Sequence, residues 1–133
     1  MRERWARLCE RIGAFGKADE ADLTYETIST LYTHPPRAYH NLHHIEQCLS
    51  HFDSVRSLVD DKDCVEFSLW LHDCVYIPER PDNETRSADA AGMIAGLLGC
   101  RPEFVERARE LILVTRHSTS PERGDASMLA DID

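Results

Sequence analysis

The stretch Asp63-Cys64-Val65-Glu66-Phe67-Ser68-Leu69-Trp70-Leu71-His72-Asp73 decides the fold. It is apolar on most sides of a helical wheel, and Asp63 followed three residues later by Glu66 has the form of a capping box. A helix with so little polar face belongs at the centre of a bundle, wrapped by other helices. His72 and Asp73 are then expected inside that buried helix. Left unpaired there, a carboxylate would cost on the order of several kcal/mol. The pair therefore needs a hydrogen-bond partner, an arginine from elsewhere, or a divalent cation taken by imidazole and carboxylate together.

Working outward, the rest of the chain also reads as helices joined by short turns. Upstream, Leu42 to about Val59 carries Ile45, Cys48, Leu49, Phe52, Val55, Leu58 and Val59 on one broad face, and Asp60-Asp61 ends it. Leu23 to Leu31 is periodic and is stopped by Thr33-His34-Pro35-Pro36. Trp5, Leu8, Cys9 and Ile12 recur at helical spacing before Gly13 and Gly16 loosen the chain. Downstream, Pro78 and Pro81 break the central helix, and Asp82 can cap a helix over Asn83 to Leu98 closed by Gly99. Pro102 suits the first turn of a helix containing Phe104, Val105, Ala108, Leu111, Ile112 and Val114. A polar loop, Ser118 to Gly124, leads to a last helical segment from Asp125 to Asp133. No segment alternates with the period of a strand. The expectation is an all-α bundle of about six to seven helices, built as a single domain over residues 1–133 because this length supports only one core.

Charge and composition narrow the function. The formal net charge of −9 argues against an extended nucleic-acid partner, since a phosphate backbone demands a basic surface. A small anion remains admissible if a metal supplies local positive charge. The uncharged stretch from Ala90 to Cys100 is too short to span a bilayer and holds three glycines, so no membrane partner is expected. The N-terminus enters mixed charge with no apolar signal core, and a cytoplasmic location is the default. Five cysteines, odd in number and never in a C-x-x-C pair, suggest core-filling residues rather than disulfides or a zinc–thiolate site.

Metal-binding side chains gather in three places: Tyr39-His40-Asn41-Leu42-His43-His44, His72-Asp73 and Asp131-Ile132-Asp133. His40 and His44 lie four apart, so a helix would put them on one face, while their place at its very start permits divided roles. His43 points away from that face, and His34 and His51 have no evident partners. Arg37 and Arg116 are candidate phosphate clamps, because a guanidinium fork matches phosphate oxygens.

The order His44, then His72-Asp73, then Asp133 resembles the H…HD…D signature of the HD superfamily of metal-dependent phosphohydrolases. Tyr39-His40-Asn41-x-x-His44 is similar to the Y-H-N-x-x-H motif of cyclic nucleotide phosphodiesterases. A small bacterial family of predicted HD phosphohydrolases is closer still, through Arg37-x-Tyr39-His40-Asn41-Leu42-x-His44-Ile45, Trp70-x-His72-Asp73-x-x-Tyr76, Asn83-Glu84-x-x-Ser87-Ala88, Thr115-x-His117 and the D-x-D of Asp131 to Asp133. The resemblance covers roughly residues 30 to 133. It implies an HD-type helical domain whose metal ligands are His44, His72, Asp73 and Asp133. Asp133 is preferred to Asp131 because in the phosphodiesterase pattern the terminal ligand is the aspartate directly preceding a leucine, as in the family's D-x-D-L stretch.

On the same resemblance, His40 is the general acid that protonates the leaving oxygen, and Asp73 can bridge toward a second metal. Asn41, Arg37, Arg116 and His117 are placed with the substrate, while Glu84 and Asp131 stand behind the ligands, with Ser87 bonding either backbone or Glu84. The implied reaction is hydrolysis of a phosphate ester or anhydride, of a nucleotide or small phosphorylated metabolite, by water activated on a divalent ion (Mn, Ni, Co, Fe, Zn or Mg). Two alternatives stand beside it. A non-catalytic metal- or nucleotide-binding HD module would lack the general acid, whereas His40 is present. A di-iron oxygenase wants more histidines than occur here. Asp133 is the last residue, so it is expected to be frayed and weakly held. On that expectation either the chain is truncated or the metal rests on three ligands and water.

Overall fold

The computed structural model describes residues 1–13, 18–35, 37–116 and 124–133. Seven α-helices occur in the order α1 (Arg2–Ile12), α2 (Ala18–Thr33), α3 (Leu42–Val55), α4 (Lys62–Leu71), α5 (Asn83–Leu97), α6 (Pro102–Leu113) and α7 (Asp125–Ile132). Short 3-10 turns, Arg56–Leu58 and Val114–Arg116, follow α3 and α6, and there is no strand among the described residues. No helix is long and apolar enough to cross a membrane among them.

The apolar run from Cys64 to Leu71 does occupy the centre. Every residue from Cys64 to Leu71 is buried, and α4 packs against α1, α3, α5, α6 and α7. Its aromatic rings set the neighbours. Trp5 of α1 lies edge-on to Trp70 at 5.3 Å and stacks on Phe67 at 5.9 Å, while Phe104 of α6 meets Phe67 edge-on at 5.2 Å. Trp5 Nε1 donates to Thr24 Oγ1 at 2.9 Å and Tyr32 Oη to the Trp70 carbonyl at 2.8 Å, whereas Trp70 Nε1 is buried without a hydrogen-bond partner among the described residues. Buried residues from all seven helices join one apolar cluster.

The start of α4 differs from the capping box expected of Asp63 and Glu66. Asp61 is the cap, its side chain accepting from the Cys64 amide at 3.2 Å. Asp63 instead receives Arg11 at 2.8 Å, and Glu66 turns inward. Its side chain is 3% exposed and takes Arg4 Nε at 2.8 Å, Arg56 Nη1 at 3.2 Å and Arg11 Nη2 at 3.4 Å. A buried carboxylate is tolerated because three guanidinia surround it.

Other boundaries shift for identifiable reasons. The third helix stops at Val55 rather than Val59, and Leu58, placed by periodicity on the buried face, is 71% exposed in the 3-10 turn. In α2 the inward face is Ala21, Thr24, Ile28 and Tyr32, so Leu23 points outward. Gly13 does not loosen the chain: its amide closes α1 on the Cys9 carbonyl at 2.8 Å. Gly16 lies outside the described residues. Gly99 ends α5 as expected, at φ +73°, with the Cys100 amide bonding Ala95 O and the Gly99 amide bonding Gly96 O.

The last helix is tied down, against the expectation of a frayed end. The Asp125 carboxylate accepts from the amides of Asp60 at 2.8 Å and Asp61 at 2.7 Å, clasping the start of α7 to the turn before α4. Leu129 and Ile132 are buried in the common core. Asp133 is thereby held in place.

Candidate metal centre

The central helix ends at Leu71, so His72 and Asp73 sit at its C-terminal end rather than inside it. Ending the helix there lets both side chains turn into the space between α3 and α7. His72 is fully buried, and its Nδ1 donates to the Leu69 carbonyl at 2.8 Å. That bond fixes the ring and aims Nε2 at the cluster. His44 enters from the first turn of α3, whose cap is Asn41: the Asn41 side chain accepts from the His44 amide at 3.1 Å. Asp133 arrives from the end of α7.

Four ligating atoms converge. His72 Nε2 lies 2.9 Å from Asp133 Oδ1 and 3.3 Å from Asp73 Oδ2. His44 Nε2 lies 3.5 Å from the same Asp133 oxygen and 3.6 Å from the same Asp73 oxygen. Donors about 2.1 Å from one tetrahedral ion stand about 3.4 Å from each other, so each of these four pairs has a spacing that two ligands of one ion adopt. Two imidazoles with two carboxylates form a donor set that transition metals accept. The residues fit a divalent ion.

Electrostatics describe the same site without an ion. Burial disfavours the His72 imidazolium, but the Asp133 and Asp73 carboxylates outweigh it and raise His72 to about 10. Burial pushes the Asp73 carboxyl up, and hydrogen bonds from His72 and His40 more than reverse this, leaving it below its ordinary value. Asp133 shows the same contest with His44 and His72, and ends well below the usual carboxylate range. The two carboxylates thus favour positive charge in this cluster.

His40 lies outside α3, with a left-handed backbone at φ +55°. It shares a site with His44 through Asp73, not through a common helical face: its Nδ1 reaches Asp73 Oδ2 at 2.6 Å. Its ring stacks on Tyr76 with centroids 4.7 Å apart, and its side chain is 39% exposed, so it stands at the mouth of the cluster.

Arg37 holds this mouth together. Its Nη1 donates to the carbonyls of Asp73 at 2.8 Å and His40 at 3.0 Å, and its Nη2 to those of Leu31 at 2.6 Å and Cys74 at 3.1 Å. The guanidinium proposed as a phosphate clamp is committed to four backbone carbonyls. Asn41 is likewise a structural cap, its amide nitrogen also donating to the Arg37 and Ala38 carbonyls at 3.3 Å.

The remaining sequence candidates are not drawn into the cluster. Asp131 is exposed one residue before the buried Ile132, and the Glu84 side chain makes no hydrogen bond or ion pair among the described residues. Arg116 is exposed at the end of its 3-10 turn, and His117 lies outside the described residues. In the Asn83-to-Ser87 stretch the working residues are its ends. Ser87 Oγ bonds the Val75 amide at 3.0 Å and carbonyl at 3.2 Å, and Asn83 ties Ile77, which together fasten the chain that follows Asp73.

One residue at the centre escaped the sequence reading. Cys48, grouped there with core-filling cysteines, forms a candidate ion-holding set with His44, His72 and Asp133. The available signal was its position four residues after His44, on the same face of α3. Burial, then the Asp133 and Asp73 charges, push its thiol up to about 12. No family model, curated protein or solved structure matches this chain.

Proposed function

We propose that this chain is a metal-dependent phosphohydrolase of the HD type, acting on a phosphate ester or anhydride of a small metabolite or nucleotide. The observation that supports the reading most is the approach of His44 and His72 to both Asp73 and Asp133, from three separated helix ends, at pairwise separations suited to ligands of an ion. A divalent ion in that set would acidify a water molecule and neutralise charge on phosphoryl oxygens.

The chain's own residues supply the rest. His40 Nδ1–H donates to Asp73, which leaves Nε2 as the atom that can hand a proton to the departing oxygen. Tyr76 restricts rotation of that imidazole by stacking on it. Arg37 holds the His40 and Asp73 carbonyls on one guanidinium, which keeps the proton donor and the carboxylate in register. His40 also falls within 4.8 Å of ligand atoms of His44 and Asp73, so its half-exposed place at the mouth suits either a second ion or the proton-donor role proposed for it.

Elemental analysis of the purified chain tests the reading. Near-stoichiometric metal is expected in the wild type and none in His72→Ala/Asp73→Ala. Added Mn, Ni or Co should then support hydrolysis within a panel of phosphate esters and anhydrides. His40→Ala should keep the metal and lose most of the rate. A wild type that takes up no metal from solution overturns the proposal.

A further inference from the structure

The buried cysteines are not alike. Cys64 Sγ and Cys74 Sγ lie 4.0 and 3.9 Å from the carbonyls of Phe104 and Ser87, the ordinary surroundings of a thiol filling a helical core. Cys48 Sγ lies 3.6 Å from His44 Nε2. One ligand atom each from Cys48, His44, His72 and Asp133 falls within 4.8 Å of all the others. A metal–sulfur bond of about 2.3 Å and a metal–nitrogen bond of about 2.1 Å at a tetrahedral angle put sulfur and nitrogen about 3.6 Å apart. The sulfur therefore stands at ligand distance from the imidazole, on the inner side of the cluster, while Asp73 and His40 close the outer side.

We propose that Cys48 is a ligand of this centre, and that its sulfur biases the site toward zinc, cobalt, nickel or iron over magnesium and manganese. The inference rests on the reading of the cluster as a metal centre and adds to it the class of ion. Hard ions such as magnesium prefer all-oxygen shells and hold thiolate poorly, whereas borderline ions accept sulfur together with imidazole. On binding, a metal–sulfur bond forms and the thiol proton leaves to solvent. The spacing His44-x-x-x-Cys48 makes the arrangement local, because residues four apart on a helix face the same way.

Cobalt(II) provides a readout independent of turnover. Cobalt-loaded wild type should show a near-ultraviolet thiolate-to-cobalt charge-transfer band, which Cys48→Ser removes while cobalt remains bound. Cys48→Ser and Cys48→Ala should also bind zinc at least tenfold more weakly, with magnesium and manganese affinity unchanged. Stoichiometric cobalt in the wild type without the band would overturn the role of Cys48 and leave the metal centre standing. Failure of the wild type to bind cobalt would overturn both. The wild-type spectrum decides the matter even if a variant fails to fold.

Discussion

His72 Nε2 at the end of α4 and Asp133 Oδ1 at the end of α7 stand 2.9 Å apart, across sixty-one residues of sequence. Neither atom is where it is by local propensity. The Leu69 carbonyl aims the imidazole, and the Asp125 clasp with the buried Leu129 and Ile132 delivers the carboxylate.

The first prediction concerns pH. In the metal-free protein His72 is raised to about 10 by its carboxylate neighbours. Its contribution to stability should be complete below its unfolded value near 6.5 and should fade as pH rises toward 10. Asp133, shifted the other way, contributes fully above its ordinary range and loses this as pH falls through its depressed value. Metal uptake must displace the His72 proton, so affinity should rise with pH over the window where metal-free stability falls. Thermal melts without metal, with calorimetric titrations in buffers of different ionisation enthalpy, measure both trends.

Asp125→Ala should release α7. Two backbone amides lose a charged acceptor in a site 4% exposed, and the expected loss is about 3 kcal/mol. Metal affinity should fall in parallel, although no ligand is altered. Asp125→Asn, which keeps one acceptor oxygen, should recover part of each. Urea denaturation and metal titration of the two variants would reveal whether α7 docking and ion binding are linked.

Arg37→Lys distinguishes a structural tie from a phosphate clamp. One ammonium cannot span four carbonyls held by a planar fork, so stability should drop by about 2 kcal/mol with no ligand present. A clamp facing solvent would instead leave the denaturation midpoint in place and weaken phosphate binding.

Two glycines should respond in opposite directions. A Cβ on Gly13 would sit 2.8 Å from the Leu98 carbonyl oxygen and 2.9 Å from that of Cys9, both rigid backbone atoms. Gly13→Ala should cost about 1–3 kcal/mol. Gly96, within α5 and with nothing within 4 Å of its Cβ position, should gain about 0.5–1 kcal/mol on replacement by Ala. Differential scanning calorimetry of both variants checks the signs.

Much of the helical order was legible because apolar spacing and punctuation agree: the run from Cys64 to Leu71, Pro102 at a helix start and Gly99 at a helix end all act through local physics. The capping of α4 was misread because Asp61, Asp63 and Glu66 all suit a helix start. Only the packing of Arg4, Arg11 and Arg56 shows which carboxylate goes inside. In the site, the histidines and aspartates could be named from type and order. The duties of Arg37 and Asn41 could not, since both are settled by backbone groups brought near only in three dimensions. Cys48 was hidden for a different reason: a cysteine among Ile45, Leu49 and Phe52 has the pattern of core, and only the approach of α4 and α7 sets it beside other donors.

The triple-arginine grip on Glu66 makes the N-terminal helix indispensable. Two of those arginines, Arg4 and Arg11, belong to α1. Trimming α1 would leave Glu66 with Arg56 alone of its three guanidinia, at a cost of about 1–3 kcal/mol, a sizeable share of what a domain this size has to spare. Deletions that shorten this end should therefore be felt along the whole of α4, including at the histidine it carries to the centre.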